Sequence, residues 1–140
     1  MERIPVGQLK DMAGYELPEL VFDIEQNVVS KFAAAVEDDS PRWRQEALPS
    51  LVPALGFDRI YEMLASSEEV AVLHGATDVE FYRPVQVGDT IEMKAKIASA
   101  RERRSANGIM IFVNFDIDYL NQEGEKVVFC RQTALVTHNG

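Results

Sequence analysis

The chain has one cysteine, Cys130, among 140 residues, so an internal disulfide is excluded. It has two histidines, His74 and His138, and with that lone cysteine they form no zinc-ligand spacing. No metal and no cofactor is expected. A glycine-rich phosphate loop is missing, as are a Gly-x-Ser-x-Gly elbow and a Cys–His pairing. No apolar run approaches the ~20 residues of a membrane span. The opening stretch "MERIPVGQLKDMAG" lacks the apolar core of a signal peptide, so a cytoplasmic location is expected. Cations are the minority charge, 14 Lys and Arg against 23 Asp and Glu, for a net −9. Nucleic-acid binding depends on Lys and Arg neutralising phosphates, so that partner class is argued against. Arg101, Arg103 and Arg104 form the one local basic cluster.

What is present is ordinary for a globular domain: 46% hydrophobic and 26% charged residues. The length suits a single domain spanning 1–140 with a sizeable core. The two halves read differently. Up to residue 74 the text is helical and loop-like; from 75 to 137 it is nearly all strand. Residues 16–25 look extended. Val28, Val29, Phe32, Ala33 and Val36 then recur at helical spacing, which predicts a helix over about 27–37, closed near Pro41. A second helix is predicted across "ALGFDRIYEMLASS", with Leu55, Ile60, Met63 and Leu64 on its stripe and Asp58 in its first turn.

Four strands follow. "ATDVEFYRP" sets Val79 and Phe81 against Glu80 and Tyr82. "DTIEMKAKIASA" sets Ile91, Met93, Ala95 and Ile97 against Glu92, Lys94 and Lys96. "GIMIFVNFDIDYL" puts Ile109, Ile111, Val113, Phe115, Ile117 and Tyr119 on one face, and "EKVVFCRQTALVT" is the last. Alternation of period two marks half-buried antiparallel strands. Glycine in "SANG" and "NQEGE" stands where hairpin loops need it. An α+β architecture follows: a curved antiparallel sheet of about five strands carrying a helix on its apolar face.

The candidate chemistry gathers in "VEDDSPRW". Asp38 reads either as a general base or as a solvated turn residue ending a helix. Trp43 reads as an aromatic lining a cleft or the core; its indole N–H donates only and cannot relay a proton. His74, beside Gly75, reads as a structural histidine at a strand start or as a substrate-orienting group. His138 reads as part of a terminal tail. Cys130 reads as a small buried side chain. Arg83 is expected to pair with Glu80 or Asp89, and Asp89 to serve its turn.

Three segments carry a family resemblance. "HGATDVEFYRPVQVGDTIEMKAKI" resembles the strand, Arg-Pro and Gly-Asp run of MaoC-like dehydratases and hydratases. "NQEGEKVVFCRQTALV" resembles their closing hairpin. "EDDSPRW" lies over their Gly-Asp-x-Asn-Pro-x-His pattern without gaps. The likeness spans roughly residues 15 to 137 and is nearest the amino-terminal MaoC-like, or FAS1-like, dehydratase domain. It implies a single hot-dog domain in which the sheet wraps a central helix. It also implies reversible syn addition of water across a trans-2-enoyl thioester, as in (R)-specific enoyl hydratases. The substrates would be acyl-CoA or acyl-carrier thioesters.

Position by position, Asp38 matches the motif's catalytic aspartate, Ser40 its asparagine and Pro41 its proline. Trp43 stands where the histidine belongs, and Glu37 replaces the glycine. The resemblance therefore implies an incomplete Asp/His site, with Trp43 and His74 as substrate-binding candidates. It also implies a homodimer, or a heterodimer with a catalytic hot-dog subunit, within a possibly higher oligomer. A non-catalytic acyl-thioester-binding role in a larger assembly is the alternative.

Overall fold

A computed structural model describes residues 3–67 and 69–138. In chain order it has α1 (Val6–Leu9), β1 (Leu20–Asp23), α2 (Gln26–Ala35), two 3-10 helices (Pro41–Arg44 and Pro49–Ala54) and α3 (Phe57–Leu64). Then come β2 (Val70–Phe81), β3 (Thr90–Ser105), β4 (Gly108–Leu120) and β5 (Lys126–His138). The strands make one antiparallel sheet in the order β1-β3-β4-β5-β2.

The alternation read from the sequence is what buries the sheet's inner face. Ile91, Met93, Ala95 and Ile97 on β3 are buried, as are Ile111, Val113, Phe115, Ile117 and Tyr119 on β4. Each such side chain removed from water stabilises the fold by about 1.5–3 kcal/mol before entropy is counted. α3 adds Ile60, Met63 and Leu64 to the same core. The chain just ahead of α3 is tied to the sheet by side chains. Tyr119 Oη donates to the Leu55 carbonyl at 2.7 Å, and Gln132 Nε2 donates to the Pro53 carbonyl at 3.4 Å. Gly56 starts the helix at φ 79°. A Cβ there would overlap the Met93 sulfur and sit 3.3 Å from Phe22 Cζ, so the turn into α3 is closed against β3 and β1.

The predicted elements need four corrections. β2 begins at Val70, not Ala76, because its register shifts between His74 and Ala76. That bulge at Gly75 breaks the period of two, and the alternation is legible only beyond it. His74 is therefore inside the strand rather than ahead of it. His138 is not a tail residue: it ends β5, opposite Val70 and Ile109, with Nε2 3.3 Å from Glu69 Oε2. The second helix is shorter than its apolar stripe suggested: Leu55 is extended and Gly56 is left-handed at φ 79°, so the helix starts only at Phe57, and it ends at Leu64 where Ala65 leaves the helical region. The extended stretch 16–25 contributes only Leu20–Asp23 as strand, with Glu16 bridged to Lys96.

Candidate functional site

The "EDDSPRW" stretch follows α2 directly. α2 closes with two backbone bonds, Glu37 N to the Ala34 carbonyl (3.1 Å) and Asp38 N to the Ala33 carbonyl (2.9 Å). This is the Schellman closure, which needs a left-handed residue. Glu37 supplies it at φ 58°, the position where the family motif has glycine. Asp38 then turns its carboxylate onto its own chain: Oδ1 accepts from Ser40 N at 3.1 Å. Ser40 caps the following 3-10 helix, its Oγ accepting from Arg42 N at 3.4 Å. Pro41 occupies the first helical position, where its missing N–H does no harm. Gln26 Nε2 donates to the Trp43 carbonyl at 3.1 Å and so holds the 3-10 helix to the start of α2.

Asp38 and Trp43 consequently face one cavity of about 440 Å³, shared with Gln26, Ser30, Ser40 and Arg44. No histidine lines it. Trp43 is half-buried, packs on the core, and carries the Arg42 guanidinium 5.1 Å above its ring. Its Nε1 is buried without a hydrogen-bond partner among the described residues. The cavity thus brings together a carboxylate and an indole N–H donor, with no imidazole on its wall.

His74 stands elsewhere. It lines a separate cavity of about 490 Å³ with Pro53, Ala54, Phe57, Asp58, Thr77 and Gln132, at the start of α3. His74 Nε2 lies 2.8 Å from Gln132 Oε1 and 2.6 Å from Thr77 Oγ1. The Phe57 ring meets the imidazole edge-on, with centroids 5.1 Å apart. Neither Thr77 nor Gln132 was singled out from the sequence. Gln132 had a signal: it breaks the apolar face of β5 between Cys130 and Ala134, and it is the one buried polar side chain among the described residues.

The remaining candidates are structural. Arg83 pairs with Glu125, not with Glu80 or Asp89; Glu80 instead accepts from Tyr82 Oη at 2.6 Å. That bond, the largest influence on Tyr82, holds its phenol above the usual range. Asp89 does serve its turn, Oδ2 accepting from Gln86 N at 2.9 Å. Cys130 is fully buried, and burial pushes its thiol up to about 11. A thiol held protonated is no nucleophile. No cluster of metal-ligating side chains occurs among the described residues, and no described helix is long and apolar enough to cross a membrane.

Comparison with solved structures shows the fold in other proteins. The monoamine oxidase regulatory protein from Archaeoglobus fulgius superposes with a TM-score of 0.73 at 18% identity, covering 100% of this chain and 98% of that one. The C-terminally truncated HadBC (3R-hydroxyacyl-ACP dehydratase) complex from Mycobacterium tuberculosis gives 0.68 at 20% identity, covering 86% and 93%. The (R)-hydratase from A. caviae involved in PHA biosynthesis gives 0.66 at 16%, covering 87% and 94%. At these identities the likeness establishes the curled hot-dog sheet and its helix, not a shared reaction. No curated protein matches the sequence. The family described as FAS1-like, dehydratase domain region, matches residues 11–129. That span takes in the Asp38 stretch, α3 and strands β2 to β4, and the chain belongs to this FAS1-like dehydratase family of MaoC-like hot-dog proteins.

Proposed function

We propose that the chain is a subunit of a 3-hydroxyacyl thioester dehydratase or enoyl hydratase whose own Asp/His site is incomplete and is completed by a catalytic hot-dog partner. The observation that carries this is the cavity shared by Asp38 and Trp43 with no imidazole on its wall. Syn addition of water to an enoyl thioester needs a group to handle the water and the α proton. It also needs donors at the thioester oxygen, which gains charge as the enolate forms. Asp38 keeps a carboxylate at the first position but commits one oxygen to the Ser40 N–H. First-turn N–H groups of a helix are of the type that can polarise the carbonyl, though the start of α3 lines the separate His74 cavity and not this one. The indole of Trp43 accepts no proton, so the relay between water and substrate is missing.

The partner part of the reading rests on two supports. One dehydratase that this chain resembles in fold, HadBC, is itself a complex. β2 is bonded on one side only, to β5, and an open edge of that length invites a further strand. Acyl-CoA or acyl-carrier thioesters are the substrates this reading assigns, in the cytoplasm. The same cavity suits a second reading, an acyl-thioester-binding protein without chemistry of its own, and the unpartnered Trp43 N–H at the motif position favours it.

The test mixes the purified chain with crotonyl-CoA, alone and with a candidate catalytic hot-dog subunit, and follows the enoyl absorbance. The chain alone should leave the absorbance unchanged, and the pair should hydrate. Hydration by the chain alone, abolished in Asp38→Asn, would overturn the incomplete-site reading. Thioester binding with no gain in any pair would leave the second reading standing.

A further inference from the structure

The face of the sheet turned away from the core has two halves of different chemistry. In register order, one cross-strand row runs Lys96, Asp116, Arg131, Asp78, and the next runs Lys94, Asp118, Phe129, Glu80. Charge is largely answered within this half. Arg131 grips Asp116 through two bonds of 2.7 and 3.0 Å, Lys126 meets Asp118 at 3.0 Å, and Lys94 reaches Glu19 and Glu92. The other half reads Arg101, Phe112, Leu135, Leu73 and then Arg103, Met110, Thr137, Ala71. Leu73 is 57% exposed and Phe112 36%. Between the halves, Asn114 donates to Ser99 at 2.8 Å and accepts from Thr133 at 2.6 Å, so that row already supplies hydrogen bonds of its own.

A bulge puts the arginines on this face. β3 shifts register between Ile97 and Ser99, and the extra residue reverses its alternation. In the phase of Ile91 to Ile97, Arg101 and Arg103 would point toward the core. Instead Ala100 and Glu102 take the inward side, and Glu102, its side chain 13% exposed, pairs with Lys10 and Arg104. Arg101 and Arg103 are exposed and form no ion pair among the described residues. With Glu102, Phe112, Asn114 and Thr133 they line a hollow of about 380 Å³. The diagonal corner of the same face, on β2, carries the opposite charge. Asp78 forms no ion pair among the described residues, its neighbour Arg131 being taken by Asp116. Glu80 accepts a hydrogen bond from Tyr82 and likewise has no cation.

Exposed large apolar side chains beside arginines have the composition of an interface. The occupant must bring carboxylates to the arginine corner, cations to the acidic corner and apolar surface between them. This face itself has that arrangement. A two-fold axis in the plane between two copies lays the arginine corner of each over the acidic corner of the other. We propose that the outer face of the sheet binds a second copy of this chain face to face, Arg101 and Arg103 of each copy meeting Asp78 and Glu80 of the other across Leu73, Leu135 and Phe112. The contact is separate from strand pairing at the open edge of β2. Edge pairing joins sheets side by side and face pairing stacks them, so the two together make an assembly of four chains. The thioester reading is not needed for it.

Sedimentation velocity of the full chain at micromolar concentration tests it. Two charge reversals are compared with the wild type, Arg101→Glu with Arg103→Glu, and Asp78→Lys with Glu80→Lys. Either reversal sets like charges against each other at both corners and should weaken the face contact about a hundredfold or more, so each variant alone should show half the wild-type mass. Mixing the two variants in equal amounts restores opposite charges at both corners and should return the wild-type mass. That recovery also shows that both variants are folded. A mass unchanged by either reversal, or a mixture that stays at half mass, would overturn the proposal. With both contacts present the wild type is a tetramer and each variant a dimer. If edge pairing alone fails, the wild type is a dimer and each variant a monomer; if face pairing alone fails, all three are dimers. A monomeric wild type removes both contacts.

Discussion

Glu37 shows how a single residue can close a helix at a cost. It sits at φ 58° because α2 ends in a Schellman closure that requires a left-handed residue. A side chain in that region is disfavoured by about 1–2 kcal/mol, and glycine, with no Cβ, escapes most of this. Glu37→Gly should therefore raise the unfolding free energy by about 1 kcal/mol, read from the midpoint of a urea titration. An unchanged or lower midpoint would mean that the Glu37 side chain contributes more than its backbone costs. Cys130 makes the complementary point about burial. Its thiol is pushed up from 9.0 to about 11, chiefly by loss of solvent. The folded state holds that proton more tightly than the unfolded chain does. The resulting stability is fully present below about pH 9 and is lost as pH rises through about 11. The stability of the wild type relative to Cys130→Ala should be constant below that window and fall within it. At pH 8 the native thiol should resist disulfide reagents until the chain is unfolded.

At the scale of elements, α3 and β2 have opposite dependence on their surroundings. α3 is only Phe57–Leu64, too short to persist alone, and its stability comes from the face it buries. Ile60 is fully buried on that face while Glu62 is exposed. Ile60→Ala should lower the unfolding free energy by about 2–5 kcal/mol. Glu62→Ala on the other face should move it by less than about 0.5 kcal/mol. Denaturant titrations at one protein concentration check both, and equal losses would mean that α3 is not the core helix. β2, by contrast, has no fully buried residue along its described length, although it is hydrogen-bonded to β5 throughout. Its apolar positions were readable only after Gly75, where Val79 and Phe81 alternate with charge. The half from Val70 to His74 lay in a different phase, and no local pattern shows that two phases belong to one strand.

For the whole molecule, the open edge of β2 is the feature that extends beyond a single chain. Leu73 is 57% exposed and Phe81 54%, both on this strand. Pairing with a second hot-dog sheet would cover them and satisfy the free backbone groups together. Light scattering should give a mass of at least twice the 15.7 kDa chain, and a clean monomer at micromolar concentration would count against the paired assembly. The amino-acid sequence by itself determined the hairpin strands β3, β4 and β5, the apolar stripe of α3, and the joint placement of Asp38 and Trp43. Each of those rests on neighbours close along the chain, where periodicity and turn chemistry act directly. Tertiary structure alone decided that Arg83 pairs with Glu125, that His138 ends the interior strand β5 between Val70 and Ile109, and that His74 meets Gln132 from 58 residues away. Those contacts depend on the register in which distant strands meet, and one extra residue at Gly75 was enough to change which side chains share a face.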